Sequence, residues 1–339
     1  MHNSSHMAET LYRGRRATSI ENELVRVTVL HEGGHIAEIL EKHSSVNPLW
    51  TPPWDSIEPS TYDLEKHPEY GADSESRLLS GLMGHNLCMD IFGPPSPEEA
   101  AAGLTVHGEA SVALYQIAAT ETALTQRARL PHSQLRIERS ITLSGHAVEV
   151  VEAVENDSAA DRPIAWTEHV TLGPPFLEKG ATEFRAPVTK SLVLEEGNGD
   201  FERYTSVPAS GGFATYLIDP ARDGAFFLAW SPGSQVALGY VWKRTDFPWL
   251  GVWEENYSRT GAPWSGRTLT RGMEFGASPV AETRRQMVER GSLFGVPTFR
   301  WIPAQTRVEV RYCAAIQGGW ARCPAQLVRH AHGEVRFEY

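Results

Sequence analysis

A single carboxylate lies in a short apolar run of this chain. Glu274 sits within Met273–Phe275, and Gly272 and Gly276 flank the run, so we expect the chain to bend on both sides. If the run is a buried strand, the side chain has little water around it, and burial of that kind makes a carboxylate a usable general base. Two alternatives stay open, a strand with Glu274 in solvent and a carboxylate held by a nearby arginine such as Arg271.

Three histidines in apolar strand contexts could act with this carboxylate. They are His85, His107 and His169. An imidazole and a partly desolvated carboxylate on facing strands suit a reaction that moves a proton onto one oxygen and off another. The same histidines with Glu109 or Glu274 could instead bind zinc or iron, although no spacing among them forms a local ligand pair. Each histidine could also be a hydrogen-bonded residue of the core.

Composition and motifs exclude several classes of function. The chain has 339 residues, with 42 acidic against 31 basic side chains and a net charge of -11. This balance argues against nucleic acid as a partner, because phosphate binding needs a positive face, and it is compatible with a neutral ligand. The sequence contains no G-x-S-x-G elbow, no P-loop, no H-E-x-x-H and no G-x-G-x-x-G after a strand.

Cysteine use and hydropathy predict the compartment. The three cysteines, Cys88, Cys313 and Cys323, form no close pair, so we expect free thiols in a reducing environment. No apolar run is long enough to span a membrane, and no apolar segment of the signal-peptide type follows the N-terminus. A cytoplasmic protein is therefore predicted. Residues 1–10 are interpreted as a cloning-derived leader and disordered start, and 11–339 as one domain.

Strand-like segments dominate the rest of the chain. Between 110 and 155 they alternate apolar and polar side chains and recur about every ten to twelve residues, which is typical of an antiparallel sandwich or barrel. We therefore predict an all-β protein, a large antiparallel β-sandwich with few short helices. The predicted helices are 280–290 and 323–331. The predicted strands are 25–30, 36–40, 111–117, 123–130, 134–143, 147–155, 164–172, 212–218, 225–230, 236–242, 250–253, 298–302, 307–315 and 335–339.

Several segments, in the same order along the chain, resemble the aldose 1-epimerase (galactose mutarotase-like) family. Each is short, and the order adds to their specificity. The segments are HEGGHIAEIL at 31–40, LTVHGEA at 104–110, WTEHVTLGPPF at 166–176, FPWLGVWEENYS at 247–258, GMEFGASPV at 272–280 and the closing strand region at 299–312.

The resemblance implies a galactose mutarotase-like supersandwich that interconverts sugar anomers without a cofactor. Glu274 would be the general base on the C1 hydroxyl, and His169 the general acid that protonates the ring oxygen. His107 would hydrogen-bond the sugar near the reacting centre. Trp253 or Trp249 could offer the sugar ring a flat apolar face. The expected partner is a sugar or glycoside, with no nucleic acid and no membrane, and the expected state is a monomer or homodimer.

The chain also departs from the family pattern. Where the family's Asn-Arg motif supplies an arginine to the sugar, this sequence has His85 and Asn86, and the family's sugar-binding aspartate has no clear match. The segment HGEA places Glu109 beside the expected site. His85, Asn86 and Glu109 are therefore predicted as further substrate-binding residues of a remodelled site. Two alternatives stay open, a metal-assisted carbohydrate lyase or isomerase and a non-catalytic sugar-binding module.

Overall fold

Two large antiparallel sheets make up most of the computed structural model, which describes residues 10–195 and 211–339. The predicted all-β sandwich with few short helices is confirmed. Of the predicted leader at 1–10, residues 1–9 lie outside the described residues, and Thr10 begins the first strand.

The strands follow one another along the chain with few helices between them. They are β1 (Thr10–Tyr12), β2 (Arg15–Glu21), β3 (Val25–Leu30), β4 (Ile36–Glu41), β5 (His85–Asp90), β6 (Gln116–Ala119), β7 (Ala123–Leu130), β8 (Leu135–Ser144), β9 (Ala147–Asn156), β10 (Arg162–Leu172), β11 (Glu183–Arg185), β12 (Val188–Glu195), β13 (Gly211–Ile218), β14 (Gly224–Ser231), β15 (Val236–Lys243), β16 (Trp249–Asn256), β17 (Leu269–Gly276), β18 (Ser292–Leu293), β19 (Val296–Pro297), β20 (Arg300–Ile302), β21 (Arg307–Gln317), β22 (Gln326–Arg329) and β23 (Val335–Glu338).

The strand order places the site-bearing segments side by side. One sheet runs β1-β2-β3-β4-β5-β10-β17-β16-β13-β12, and β20 also pairs with β10. The other sheet runs β11-β14-β15-β21-β9-β8-β7-β6. Two small hairpins, β18-β19 and β22-β23, complete the strands of the described part of the chain. The central strands β5, β10, β17 and β16 of the first sheet are therefore the ones that can build a common site.

The helices are short and lie in loops. They are α1 (Ser76–Leu79), α2 (Pro97–Ala101) and α3 (Arg284–Arg290), with 3-10 turns at Pro59–Thr61 and Pro68–Tyr70. None of the helices in 10–195 and 211–339 has the length and apolar character needed to cross a membrane.

The structure corrects three of the predicted elements. The helix predicted at 280–290 begins only at Arg284, because a capping box at Thr283 sets its start. The helix predicted at 323–331 is wrong: this region contains β22, whose Leu327 packs with Phe337 of β23 over apolar side chains of the second sheet. The strand predicted at 111–117 begins only at Gln116, because the preceding residues form turns beside the first sheet.

The space between the sheets is filled by alternating apolar side chains. In β8, Leu135, Ile137, Ile141 and Leu143 point inward while most of the intervening residues are less buried. The strand β10 is different, since 164–172 is buried on both faces. One of its faces contacts the other sheet, and loops cover the opposite face. This explains why the segment reads as a continuous apolar run rather than an alternating one.

A polar cluster also lies in this core, directly behind the face of β10 that carries His169. The Arg139 guanidinium contacts Glu152 at 2.6 Å and Glu168 at 3.3 Å. Glu168 also accepts hydrogen bonds from the Tyr312 hydroxyl at 3.0 Å and lies 2.8 Å from His85 Nε2. Burial raises the pKa of Glu152 to about 8, so one of the two carboxyl groups keeps its proton at neutral pH and the cluster is close to neutral.

We expect Arg139→Met to destabilise the protein strongly, because it leaves the buried Glu168 carboxylate without its cation. Removing one partner of a buried ion pair typically costs about 3–5 kcal/mol. Urea unfolding followed by tryptophan fluorescence measures the change. The matched control is Arg127→Met, which breaks an exposed pair with Glu138 and should change the free energy of unfolding by less than about 1 kcal/mol. Equal effects of the two substitutions would contradict the role given to the buried cluster.

Candidate active site

The register of four neighbouring strands lines up one row of residues on the same face of the first sheet. His169 of β10 pairs with Glu274 of β17 on one side and with Asn86 of β5 on the other. Glu274 in turn pairs with Gly251 of β16. Directly paired residues of antiparallel strands point to the same face, so the imidazole and the carboxylate meet across the two central strands.

The two side chains form a buried hydrogen-bonded pair. His169 Nε2 lies 2.9 Å from Glu274 Oε1, and the side chains are 8% and 2% exposed. His169 Nδ1 lies 3.0 Å from the Thr171 hydroxyl, which can donate to a neutral ring or accept from a protonated one. The second carboxylate oxygen, Glu274 Oε2, has no hydrogen-bond partner among the described residues. The pair therefore shares one hydrogen bond in the core of the site, and its second carboxylate oxygen is buried without a partner among the described residues.

Glycines beside the pair give it room. A Cβ on Gly272 would lie 2.8 Å from Glu274 Oε1 and 3.2 Å from His169 Cε1, and a Cβ on Gly251 would lie 3.2 Å from Glu274 Oε2. Gly272 and Gly276 were expected to bend the chain around the carboxylate. Both lie inside β17 instead, and at Gly272 the missing side chain makes space for the reactive groups.

His107 approaches the pair from a loop. Its backbone has a left-handed φ of 68°, and Gly108 follows with a φ of 79° at a point where a Cβ would lie 2.2 Å from the Met89 carbonyl oxygen. His107 Nδ1–H donates to the Phe92 carbonyl at 2.6 Å, and the ring centroid lies 5.2 Å from that of His169. Loss of water and the nearby His169 lower the pKa of His107 to about 3. The ring is therefore neutral, with Nε2 as an acceptor.

These residues line a cavity of about 330 Å³. Trp253 forms one wall, with its ring centroid 6.1 Å from that of His169. Trp249, the other tryptophan expected to face the sugar, is fully buried and donates its Nε1–H to the Pro297 carbonyl, so it does not reach the cavity. The lining residues are Glu75, Leu82, Phe92, Gly93, Pro94, Val106, His107, His169, Leu194, Phe213, Trp253, Arg259, Trp264, Glu274, Val280 and Ala281.

Two charged residues of this cavity were missed by the sequence analysis. The Arg259 guanidinium lies over the rings of Trp253 and Trp264, at 5.4 and 4.8 Å from their centroids, and 3.6 Å from the Glu75 carboxylate. Both residues come from loops, where no periodic pattern marks them. The only feature of the sequence that could have indicated Arg259 is its position directly after the family-like segment that ends at Ser258.

The structure does not bring His85 to the cavity. Its neighbour in the chain faces the same side as His169, so His85 points to the opposite face, where it contacts Glu168 in the core. Burial and the nearby Arg139 hold the pKa of His85 well below its ordinary value, so the ring is neutral. His85 was predicted to contact the substrate, and the structure places it in the core instead of the cavity lining. The metal set of three histidines is not assembled either, because the sheet separates His85 from His107.

Asn86 and Glu109 lie outside the cavity lining as well. Asn86 shares the face of His169, but it is fully buried and donates to the Ser111 hydroxyl at 3.2 Å. The Glu109 carboxylate accepts hydrogen bonds from the backbone N–H and hydroxyl of Ser133 and faces a different groove. The structure therefore places neither side chain in the cavity lining: Asn86 is held beside Ser111, and Glu109 holds the loop at Ser133.

Comparison with known proteins identifies the architecture. No protein-family model matches the chain, and no curated protein does. Among solved structures, a candidate aldose 1-epimerase from Klebsiella pneumoniae superimposes with a TM-score of 0.69 at 14% identity, over 90% of this chain and 80% of that one. A galactose mutarotase-like protein from Clostridium acetobutylicum gives 0.62 at 12% identity, over 92% and 98% of the two chains. The chain has the galactose mutarotase-like fold.

A third match supports the same assignment. A galactose mutarotase related enzyme from Lactobacillus acidophilus superimposes with a TM-score of 0.60 at 11% identity, over 90% of this chain and 98% of that one. At these identities the similarity shows a shared fold, and one such fold can host many functions.

An ordinary histidine has a pKa of about 6.5. We expect the His107 imidazole to stay neutral at and around this pH. Its pKa is lowered to about 3, so the unfolded chain binds a proton here that the folded chain does not, and stability falls as the pH drops below about 6.5. Imidazole ¹⁵N shifts, assigned with His107→Gln, measure the ring's state. They should show an Nδ1–H tautomer from pH 5 to 8, and a midpoint near 6.5 would contradict the assignment.

Proposed function

We propose that this protein is an aldose 1-epimerase-like isomerase that interconverts sugar anomers. The observation that carries the proposal is the His169–Glu274 pair, an imidazole and a carboxylate 2.9 Å apart at a cavity, where Glu274 Oε2 has no hydrogen-bond partner in the described part of the chain. A proton donor and a proton acceptor at this separation suit a substrate in which two oxygens are bonded to one carbon. The anomeric carbon of an aldose, with its hydroxyl and its ring oxygen, is such a centre.

In the proposed reaction, Glu274 removes the proton from the C1 hydroxyl while His169 donates a proton to the ring oxygen. The bond between C1 and the ring oxygen breaks, its electron pair stays on that oxygen, and the C1 hydroxyl oxygen becomes the aldehyde carbonyl. Rotation about the C1–C2 bond presents either face of the carbonyl to the ring oxygen. Closure reverses both proton transfers and returns Glu274 and His169 to their starting states.

Two neighbouring residues would support this chemistry. His107 is neutral with Nε2 as an acceptor, so it would accept a hydrogen bond from a sugar hydroxyl beside the reacting centre. Trp253 would pack against the C–H face of the sugar ring, since it lies next to His169 in the cavity wall.

A non-catalytic sugar-binding module is the second candidate. It is favoured by the aromatic wall of Trp253 and Trp264, which could hold a sugar without any proton transfer. The metal-assisted alternative has no such support, because the described residues contain no group of three or more His, Cys, Asp or Glu side chains placed to hold a metal ion.

Glu274→Gln should abolish anomer exchange while sugar binding persists, because the amide keeps the shape of the carboxylate and cannot accept the C1 proton. Loss of a general base typically lowers kcat by about 10²–10⁴-fold. Exchange between α and β anomers is measured by NMR across a panel of aldoses, above the spontaneous rate. Binding is measured by saturation-transfer NMR on the same samples.

The matched control is Glu289→Gln, the same change at an exposed surface position, and it should leave exchange at the wild-type rate. Exchange that survives Glu274→Gln would overturn the assigned base. Binding of aldoses by the wild-type protein without accelerated exchange on any of them would favour the sugar-binding module.

A further inference from the structure

We propose that Glu75 and Arg259 are specificity-determining residues that select an uncharged monosaccharide by binding two of its neighbouring hydroxyl groups. This inference rests on the proposed function, since it concerns the sugar held at the same cavity. Both residues line the cavity together with His169 and Glu274, and neither belongs to the strands that carry the acid/base pair.

Arg259 is fixed in place but keeps hydrogen-bonding capacity. Two indole rings, Trp253 and Trp264, lie under its guanidinium, and its Nε is 3.5 Å from Glu255. The backbone N–H of Arg259 also donates to Glu255 at 3.0 Å, which anchors the start of the loop. The contacts to carboxylates are longer than a strong charge-assisted hydrogen bond, and the side chain is 41% exposed. Among the described residues, no side chain makes a short hydrogen bond to the Arg259 guanidinium, so its N–H groups can donate to a ligand.

The Glu75 carboxylate accepts no short hydrogen bond from the residues that the structure describes. Its nearest cation, Arg259, is 3.6 Å away, which is too far for a hydrogen bond. Burial raises the pKa of this carboxyl group, although the side chain is still 29% exposed to the cavity. A carboxylate that has lost water without gaining hydrogen bonds is stabilised by a ligand that donates to it. Sugar hydroxyls are such donors.

The two residues together match a pair of vicinal hydroxyls. A hydroxyl donates one hydrogen bond and accepts others. One hydroxyl can donate to Glu75 while its neighbour accepts from Arg259, and the contacts at Glu75 and Arg259 leave both groups available at the same wall. Glu75 lines the same cavity of about 330 Å³ as His169 and Glu274, so this wall lies close to the acid/base pair. A sugar reaching from one to the other would present C1 to Glu274 and more distant hydroxyls to Glu75.

Charge and size restrict the sugar further. Among the described residues that line the cavity, Arg259 is the only lysine or arginine. Two carboxylates, Glu75 and Glu274, belong to the same lining. With His169 protonated, as the proposed reaction requires, the two cations balance the two carboxylates and the lining has no net charge. A phosphate or a carboxylate on the sugar would lose water here without an excess of cations to compensate it, which disfavours a charged sugar. The volume of about 330 Å³ is at the small end for ligand pockets and suits one sugar ring.

The test compares Glu75→Gln and Arg259→Lys with wild type and with the surface control Glu289→Gln, using neutral aldoses, their deoxy analogues and aldose 6-phosphates. We expect each cavity substitution to raise KM about tenfold for neutral aldoses with little change in kcat, because a hydrogen bond to a charged group is lost from binding. For the wild-type protein, a deoxy analogue that lacks the contacted hydroxyl should have a KM about tenfold higher than the parent sugar. For Glu75→Gln, the analogue and the parent sugar should have the same KM, because the contact is already lost. Glu75→Gln should also weaken the discrimination against the 6-phosphate.

The same variants keep the inference testable if no sugar is turned over. Saturation-transfer NMR then gives Kd. A tenfold higher Kd in Glu75→Gln and Arg259→Lys would support the specificity role of Glu75 and Arg259, while the epimerase proposal fails. Unchanged KM or Kd in both variants would overturn the inference, and so would a wild-type preference for the sugar phosphate or the absence of any sugar binding. Thermal melting of each variant confirms folding, since both side chains are partly exposed.

Discussion

The pairing register between β10 and β17 is the constraint on which the site depends. It sets His169 opposite Glu274, and the adjoining pairings set Gly251 beside the carboxylate. Because side chains alternate between the faces of a strand, a shift of one residue would send the imidazole into the core and bring Glu168 to the cavity. The apolar contacts between the sheets fix the register, since β10 buries Val170 and β17 buries Met273 in the core that the two sheets share.

The loops add what the sheet cannot supply. His107 comes from a loop whose left-handed backbone is held against β5, and Glu75 and Arg259 come from two other loops around the same opening. The rigid strands carry the pair assigned to proton transfer, whereas the loops carry residues that would contact the rest of a ligand. Such a division lets specificity change without disturbing the reactive centre, which agrees with the many functions that one fold can host.

Sequence patterns predicted the fold class because alternation and turn spacing are local properties that survive in single strands. They also singled out His107, His169, Trp253 and Glu274, which the structure gathers around one cavity. The position of His85 in the core could not be predicted, because a strand buried on both faces carries no polar alternation to show which face each residue takes. Glu75 and Arg259 were missed for a different reason. They come close together only because loops that are distant in sequence pack side by side, so no motif or regular spacing in the sequence predicts their proximity. The helix predicted at 323–331 was overridden by tertiary packing.

The buried cluster of Arg139, Glu152 and Glu168 has a consequence for how the molecule assembles. Its members come from β8 and β9 of one sheet and β10 of the other, and Arg139 also donates to the Gly34 carbonyl in the turn between β3 and β4. If the first sheet formed alone, Glu168 would lack both the Arg139 guanidinium and the Tyr312 hydroxyl, which come from the second sheet. Half-built forms are therefore penalised, and both sheets should gain structure in a single cooperative transition rather than one after the other.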